Sequence, residues 1–403
     1  MTDLPSRMVE AESIASSSGA AAEASSGGLR RLALRGAVWT TLGEVVGQAL
    51  RLVGNVVLAW LLGRAAFGVM TYVNIAKRGL EMFSDLGLAP NIIQSKRGLD
   101  PQFLNTAWTI QVVRGLVLWV VSCLIALPMA MVYDEPGSGM PSLMWLLPAA
   151  SLTAPIAALA STGIFVLNRR LELGKVTLLE VVQITVSTAA MIAIALVWRS
   201  VWALVIGGII GVSARTVLSH VAIRQWRPRL GWDADAVREL LRFGSWVFIA
   251  TALTFLSGYT DRLILGKCIG LEWLGVFSVA YGIAEAARSL VTKVNNRVTL
   301  PAVSNRNHLP PGELRTIVLR HRGPMLLWLA AGLAALTVAG DQIIVLLYPE
   351  EFHGAAWMLP LLTIGLWPRL LSSTIYPMLL AVGTPRWNAG GSLTKLVLVA
   401  GGI

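Results

Sequence analysis

Charged and amide side chains recur at helical spacing inside stretches that are otherwise apolar. Glu44, Gln48, Arg51 and Asn55 are separated by four, three and four residues, which places them on one face of a helix. An ionisable side chain at the centre of a membrane-spanning helix costs about 2.5–3.5 kcal/mol on insertion scales, so such residues normally pair with each other or face water. The spacing therefore predicts either neutralising pairs or the lining of a water-filled cavity.

Further polar stripes and single charges lie in later apolar segments. The stripes are Asn74, Lys77, Arg78, Glu81 and Asp85; Thr251, Thr254, Gly258, Asp261 and Arg262; and Tyr281, Glu285, Arg288 and Thr292, with single charges at Arg114, Glu180, Arg215 and Lys293. The arrangement that accounts for all of them is a polar cavity shared by several helices. The alternative is that Lys77 with Glu81, Arg51 with Glu44, and Glu285 with Arg288 form pairs within single helices.

The composition places these stripes in a membrane protein. Of 403 residues, 55% are apolar and 14% are charged, and the mean hydropathy is +0.67. A globular domain is about 25% charged, so this chain lacks the polar residues to cover a water-facing surface. Apolar stretches of about 20 residues, the length that crosses a bilayer core, recur throughout. We predict spans near 37–61, 66–90, 104–131, 143–167, 174–197, 201–223, 244–266, 273–299, 324–348 and 355–382, with an eleventh starting near 389.

The basic residues indicate how these spans are oriented. With a cytoplasmic amino terminus, nineteen Lys and Arg fall in inner segments and three, Arg64, Arg199 and Lys267, fall in outer loops. This asymmetry follows the positive-inside rule. It also accounts for most of the net charge of +11, so the charge does not indicate a nucleic-acid partner.

The chain also contains an internal repeat. A shift of 207 residues aligns Arg31, Leu34, Arg35, Trp39, Leu58, Gly63, Gly68 and Val69 with Arg238, Leu241, Arg242, Trp246, Leu265, Gly270, Gly275 and Val276. Six spans separate the copies, so both enter the membrane from the same side, as in transporters whose site lies between two bundles. Chance similarity between apolar segments is the alternative explanation.

We therefore predict an all-α polytopic membrane protein with two pseudo-symmetric six-helix bundles around a central polar cavity. Residues 1–28, rich in Ser, Ala and Gly, are expected to form a disordered cytoplasmic tail. The N-terminal bundle is expected at 29–230 and the C-terminal bundle at 231–403. Because the sequence ends inside the eleventh span, the second bundle is expected to be truncated.

Several motifs in this order resemble a known family. They are Leu-Ala-Trp-Leu-Leu-Gly-Arg-Ala-Ala-Phe-Gly at 58–68, Phe-Ser-Asp-Leu-Gly-Leu at 83–88, Trp-Ala-Leu-Val at 202–205, Trp-Arg-Pro-Arg-Leu at 226–230, Asp-Arg-Leu-Ile-Leu-Gly at 261–266 and Pro-Ala-Val-Ser at 301–304. Together they resemble the Wzx-type polysaccharide flippases of the multidrug/oligosaccharidyl-lipid/polysaccharide exporter superfamily. The resemblance covers nearly everything after residue 30.

The resemblance implies a transporter and no enzyme activity. Its substrate would be undecaprenyl-diphosphate-linked oligosaccharide, moved across the bacterial inner membrane by alternating access for O-antigen or exopolysaccharide synthesis. Partners would be this lipid-linked oligosaccharide, membrane lipids and polysaccharide polymerase or assembly proteins. No cofactor is expected. The cavity candidates for substrate binding are Arg51, Lys77, Arg78, Arg114, Arg215, Arg262, Arg288 and Lys293.

Arg and Lys suit a diphosphate because they supply charge and directed hydrogen-bond donors. The deep charges nearly balance, however, since these eight cations are set against Glu44, Glu81, Asp85, Glu180, Asp261 and Glu285. The sequence alone therefore does not show that the substrate is an anion.

Two other functions remain open. A drug/cation antiporter or lipid II flippase of the same superfamily would couple transport to an H⁺ or Na⁺ gradient. The acidic candidates for such coupling are Glu44, Glu81, Asp85, Asp261 and Glu285. A membrane-embedded glycan polymerase or glycosyltransferase would need a catalytic loop. The longest loops, near 224–243 and 300–323, offer only the Asp-Ala-Asp run at 233–235, which is more typical of a helix start than of a metal motif.

Overall fold

The fold is helical throughout the part of the chain that the structure describes. The computed structural model describes residues 4–381, apart from 85–87, 89–91, 93, 94, 96, 136, 171, 224, 225, 227 and 305–310. Side chains are described between Gly36 and Leu371, with the largest gaps at 239–254 and 293–321. The helices are α1 Leu4–Phe83, α2 Pro101–Tyr133, α3 Leu143–Ser151, α4 Thr153–Ala158, α5 Gly163–Arg169, α6 Leu173–Val197, α7 Trp202–Ala222, α8 Ala234–Ser304, α9 Pro311–Leu347 and α10 Ala355–Ala381, with a 3₁₀ turn at Glu350–Phe352.

The helices confirm the predicted all-α polytopic membrane protein. Within the described part of the chain, seven helices are long and apolar enough to cross a membrane. The number is eight if Leu143–Ala158 and Gly163–Arg169, which meet at 63°, form one broken span. Two of the seven, Val38–Phe83 and Arg262–Ser289, are interrupted at a glycine, so α1 and α8 each account for two predicted spans. The predicted eleventh span lies outside the described residues.

The first helix begins earlier than the sequence predicts. α1 starts at Leu4 and runs through most of the 1–28 segment that is expected to be disordered. Ala and Glu, which are frequent in this segment, have high helix propensity. The cytoplasmic location of the segment stays a prediction.

Gly63 and Gly270 interrupt α1 and α8 at positions that are 207 residues apart. Their φ and ψ angles are 73° and 170° for Gly63, and 80° and 169° for Gly270. This region of backbone space is essentially restricted to glycine. The predicted repeat is therefore present in backbone conformation. We call the parts before and after each glycine the first and second arms of the helix, and the side of the molecule that carries both glycines the glycine end.

The second arms of α1 and α8 cross in direct backbone contact. A Cβ atom placed on Gly68 would lie 2.0 Å from the carbonyl oxygen of Leu271, and one on Gly275 would lie 1.9 Å from the carbonyl oxygen of Arg64. The two contacts exchange under the 207-residue shift, which maps position 68 onto 275 and position 64 onto 271. This crossing therefore marks the local pseudo-twofold axis between the N-terminal half, up to residue 230, and the C-terminal half, from residue 231.

The buried core is exchanged between the halves in the same way. Leu271 and Leu274 of the C-terminal half are buried in a cluster with Tyr72 and Val73 of α1 and with leucines of α3. Conversely, Ala59 of the N-terminal half is buried in the cluster formed by α8, α9 and α10. At the glycine end the halves are thus held together by hydrophobic packing as well as by the backbone crossing.

Small residues on the first arm of α1 allow close packing against α6. A Cβ atom on Gly43 would lie 2.0 Å from Cγ2 of Thr177, and one on Gly54 would lie 2.5 Å from Cγ2 of Thr188. Small residues at such positions let the backbones of membrane helices approach closely.

Replacing Gly54 with leucine is expected to destabilise the protein. Overpacking a close helix contact costs about 1–3 kcal/mol, because the helices must separate to admit the new side chain. Thermal unfolding of the detergent-solubilised protein measures the effect as a lower midpoint. Val53→Leu is the matched control, because Val53 is 61% exposed. An unchanged midpoint for Gly54→Leu would contradict the observed packing.

The outer surface of the molecule is apolar, as a lipid-facing surface must be. On α2, Leu124 is 70% exposed and Met131 is 75% exposed. Exposed tryptophans lie at helix ends on the glycine end: Trp60, Trp145, Trp198, Trp273 and Trp357. Tryptophan is enriched where a membrane meets water, so these residues mark one boundary of the bilayer.

The linker between the halves is attached to the beginning of α2. The backbone N–H groups of Arg229, Gly231 and Asp233 donate to Asn105 Oδ1, Thr109 Oγ1 and Thr106 Oγ1 at 3.0, 3.1 and 3.1 Å. The linker therefore packs on the N-terminal half up to the residue that precedes α8.

The Asp-Ala-Asp run at 233–235 is a helix start. Asp233 Oδ1 accepts the N–H of Asp235 at 3.0 Å, and Asp233 Oδ2 lies 2.6 Å from Arg97 Nη2. Both carboxylate oxygens are thus engaged in capping and an ion pair. Within the described part of the chain, no group of three or more His, Cys, Asp or Glu is placed to hold a metal ion.

Candidate functional site

A cavity of about 620 Å³ lies between the two halves. Three pairs of residues that are equivalent in the repeat line it from opposite sides: Asn55 and Arg262, Thr71 and Ser278, and Asn74 and Tyr281. These residues come from α1 and α8: the first pair lies on the first arms, and the other two pairs lie on the second arms. The cavity is therefore built on the pseudo-twofold axis by the two copies of the repeat.

A second cavity of about 670 Å³ adjoins the first within the N-terminal half. Lys77, Arg78, Glu81, Thr153 and Gly208 line both cavities, so the two cavities lie on either side of these residues. The second cavity is also lined by α2 and by α4 to α7, including the polar side chains Gln111, Arg114, Gln183, Ser187 and Arg215. The combined space is large enough for an extended polar solute.

Arg262 is held against two aromatic rings. Its Cζ atom lies 3.6 Å from the ring centroid of Tyr281 and 4.9 Å from that of Tyr259. Such cation–π contacts contribute about 2 kcal/mol or more when they are desolvated. The Tyr281 hydroxyl also donates to Glu285 Oε2 at 3.1 Å. The aromatic contacts thus fix a guanidinium at the wall of the cavity.

Arg78 and Lys77 lie where the two cavities meet. Arg78 Nη1 is 3.3 Å from Glu81 Oε2, and the Arg78 side chain also interacts with Tyr259 of the other half. Among the described residues, Lys77 has no carboxylate within 4 Å, so the Lys77–Glu81 pair considered from the sequence is replaced by Arg78–Glu81. Spacings of three and four residues both permit a pair on a helix, so the sequence does not distinguish them.

Arg114 and Arg215 contribute to the second cavity in different ways. Arg114 Nε donates to Ser84 Oγ at 3.0 Å, and Arg114 Nη2 donates to the carbonyl oxygen of Glu81 at 3.1 Å. Arg114 therefore caps the end of α1 and fixes the helix that carries Arg78. The Nε of Arg215 is buried and has no hydrogen-bond partner in the structure.

The remaining predicted site residues lie elsewhere. Arg51 Nη2 lies 3.3 Å from Glu44 Oε1 and 2.8 Å from Gln48 Oε1. These three residues of the stripe are thus joined within α1 and line neither cavity. Arg288 and Glu285 are paired within α8 and also line neither cavity. Asp85 and the side chains of Asp261 and Lys293 lie outside the described part of the structure.

The structure separates charges that are mixed in the sequence. Among the described residues, the two cavities are lined by the cations Lys77, Arg78, Arg114, Arg215 and Arg262, and by Glu81 as the single carboxylate. Glu81 is thus the one described ion-coupling candidate that lines a cavity. The other described candidates, Glu44 and Glu285, are neutralised by ion pairs with arginines of their own helices. The lined space therefore carries a net positive charge.

Sequence reasoning omitted the aromatic and amide groups from the candidate site. Tyr259, Gln111 and Gln183 line the cavities but do not stand out in the sequence. Tyr281 is part of a stripe, and its position 207 residues after Asn74 is the signal that could have placed it in the site.

Residues 57–356 match the polysaccharide biosynthesis protein family. The lipopolysaccharide biosynthesis protein WzxC of Escherichia coli (strain K12) is 24% identical over 275 residues, covering 68% of this chain and 55% of WzxC. The chain thus spans about half the length of WzxC. The succinoglycan biosynthesis transport protein ExoT of Rhizobium meliloti (strain 1021) is 22% identical over 372 residues, covering 91% of this chain and 72% of ExoT.

Solved structures show the same fold. An inward-facing multidrug resistance MATE family transporter of the MOP superfamily superposes with a TM-score of 0.62 at 12% identity, covering 90% of this chain and 87% of the transporter. At this identity the similarity concerns the fold. The family match covers most of the chain and agrees with the motifs that run through both copies of the repeat. The chain belongs to the polysaccharide biosynthesis protein family.

Proposed function

We propose that the protein flips undecaprenyl-diphosphate-linked oligosaccharide across the bacterial inner membrane by alternating access. The observation that carries this proposal is the net positive lining of two adjoining cavities between membrane helices. A diphosphate is the anionic part of such a substrate, and Arg and Lys bind phosphate oxygens through charge and directed N–H donors. The names of WzxC and ExoT support a glycan as the cargo.

The cavity walls suit the two chemically different parts of this head group. Arg262, Arg78 and Lys77 supply the positive charge near the pseudo-twofold axis. Amide side chains, among them Asn55 and Asn74, supply neutral donors and acceptors for sugar hydroxyls. The apolar outer surface leaves the lipid chain in the bilayer while the head group crosses through the protein. Transport of this kind requires no covalent step.

The proposed orientation has the amino terminus in the cytoplasm and the glycine end facing outward. It is supported by the excess of Lys and Arg in alternate loops. In this orientation the halves are closed together on the outer side, and the cavity lies on the cytoplasmic side of the Gly68–Gly275 crossing. The structure then corresponds to a state that receives substrate from the inner leaflet.

Replacing Arg78 or Arg262 with alanine is expected to reduce transport about 10- to 100-fold, because hydrogen bonds to charged groups contribute about 1.5–3 kcal/mol. The measurement is glycan export in a bacterial strain that lacks its own flippase, with membrane insertion checked by immunoblot. Lys175→Ala is the matched control, because Lys175 is exposed and pairs with Glu172 away from both cavities. Export at the unmodified rate by both cavity variants would overturn the proposed function.

A further inference from the structure

At the glycine end, the halves are joined by contacts that repeat under the 207-residue shift. Trp60 Nε1 donates to the carbonyl oxygen of Leu347 at 2.9 Å, at the end of α9. The equivalent residue, Lys267, donates from Nζ to the carbonyl oxygen of Val132 at 2.5 Å, near the end of α2. Each half thus donates a hydrogen bond to the end of the third span of the other half. These reciprocal bonds close the molecule on this side.

Further polar contacts at the glycine end join the same two halves. Arg64 Nη2 lies 2.5 Å from Glu272 Oε2, and Leu271 N donates to Glu135 Oε1 at 2.8 Å. Together with the backbone crossing at Gly68 and Gly275, they make the glycine end the closed end of this state. A transporter that alternates access needs a second set of contacts to close the opposite end.

Two ion pairs farther along the second arms have opposite polarity. In α1, Arg78 pairs with Glu81, and in α8, Glu285 pairs with Arg288. The shift of 207 residues maps Arg78 onto Glu285 and Glu81 onto Arg288. Equivalent positions in the two halves therefore carry charges of opposite sign.

The lining of the cavity shows which faces of the two arms oppose each other. Thr71 and Ser278, and one turn later Asn74 and Tyr281, line the first cavity as equivalent pairs. Residues four apart lie on the same helix face, so Arg78 and Glu285 continue these two faces one turn farther from the crossing. In the present state the Arg78 and Glu81 side chains are 58% and 46% exposed, so this end of the space is open to water.

We propose that these four charges form the gate at the end opposite the glycines by exchanging partners. When this end closes, Arg78 leaves Glu81 and pairs with Glu285, and Arg288 leaves Glu285 and pairs with Glu81. The number of ion pairs is the same before and after, so closure does not bury an unpaired charge, which would be strongly unfavourable. The gate rests on the alternating access proposed above, but it does not depend on the identity of the substrate.

Charge swaps distinguish partner exchange from permanent pairing within each helix. The variant Arg78→Glu with Glu81→Arg keeps the pair within α1, but in the closed gate it places like charges opposite Glu285 and Arg288. The variant Arg78→Glu with Glu285→Arg keeps both cross-half pairs, one of them reversed, and places like charges side by side within each helix. Partner exchange therefore predicts that the first variant stays open at this end and that the second favours closure.

The readout uses the substitution Ser278→Cys in the cavity. A membrane-impermeant maleimide, applied separately to each side of oriented membrane vesicles, labels this cysteine. The exposed Cys123 and Cys268 are first replaced by alanine, and this protein with the reporter cysteine alone is called the reporter background. We expect the first variant to be labelled about tenfold less than the reporter background from the glycine end, and the second about tenfold more. Equal labelling of the two variants would overturn the gate.

The combined variant with all four charges reversed controls for loss of folding. It preserves the pairs in both states, so labelling from both sides is expected to match the reporter background. Labelling of this variant that differs from the reporter background on either side would also contradict the proposal. Because labelling requires no glycan, it tests the gate independently of export. A normal labelling pattern with failed export would instead count against the proposed substrate.

Discussion

Replacing Gly275 with alanine is expected to abolish transport. The added Cβ atom would lie 1.9 Å from the carbonyl oxygen of Arg64 and 2.9 Å from its carbonyl carbon. Both neighbours are backbone atoms, so the contact cannot be relieved by a change of rotamer. The second arms must separate, and overpacking of this kind typically costs 1–3 kcal/mol or more. The closed glycine end is then lost, and a transporter that cannot close one end cannot alternate.

Gly282→Ala is the matched control for this prediction. Gly282 lies seven residues farther along the same arm, and a Cβ atom there has no neighbour within 4 Å. Alanine also has the higher helix propensity, so the control is expected to insert and transport at least as well as the unmodified protein. Glycan export and labelling from the glycine end measure the two variants. Normal export by Gly275→Ala would show that the close crossing is not required.

Replacing Gly208 with tryptophan is expected to block transport without removing a charge. Gly208 lines both cavities, and the nearest atom to an added Cβ is Cε of Met191 at 3.8 Å. A tryptophan side chain buries about 150–250 Å² of surface, so it would obstruct the passage between the cavities. This variant therefore tests the path of the substrate independently of the cationic residues.

Ile210→Trp is the matched control for Gly208→Trp. Ile210 lies two residues farther along α7 and is 40% exposed, so a tryptophan there is expected to face lipid. Export is expected to fall below detection for Gly208→Trp and to stay unchanged for Ile210→Trp, with equal amounts of both proteins in the membrane. Normal export by Gly208→Trp would place the path of the substrate outside the two cavities.

Much of the fold can be predicted because membrane physics leaves few alternatives. Apolar stretches must be helices that span the bilayer, and ten of the predicted spans coincide with described helix. Gly63 and Gly270 are visible in the sequence as repeat positions, and the structure adds their glycine-only backbone angles. The exchange of Ala59 and Leu271 between the two cores could not be predicted, since it depends on how the arms cross.

The site is predicted only in part, because helical spacing defines a face but not what the face contacts. The stripe of Lys77 and Arg78 does line a cavity, whereas the similar stripe of Glu44 and Arg51 is paired within α1. Hydropathy and spacing treat the two stripes alike. The positive sign of the cavity likewise arises because Arg78 and Arg262 line it and Glu285 does not, which no local pattern encodes.

The opposite signs at Arg78 and Glu285 are possible only because the two halves belong to one chain. In a symmetric dimer of a single half, each position on the axis would face its own copy, so an arginine would face an arginine. Two copies joined in one polypeptide can diverge, and complementary charges can then meet across the axis. The fused architecture thus permits attraction between equivalent positions where exact symmetry would impose repulsion.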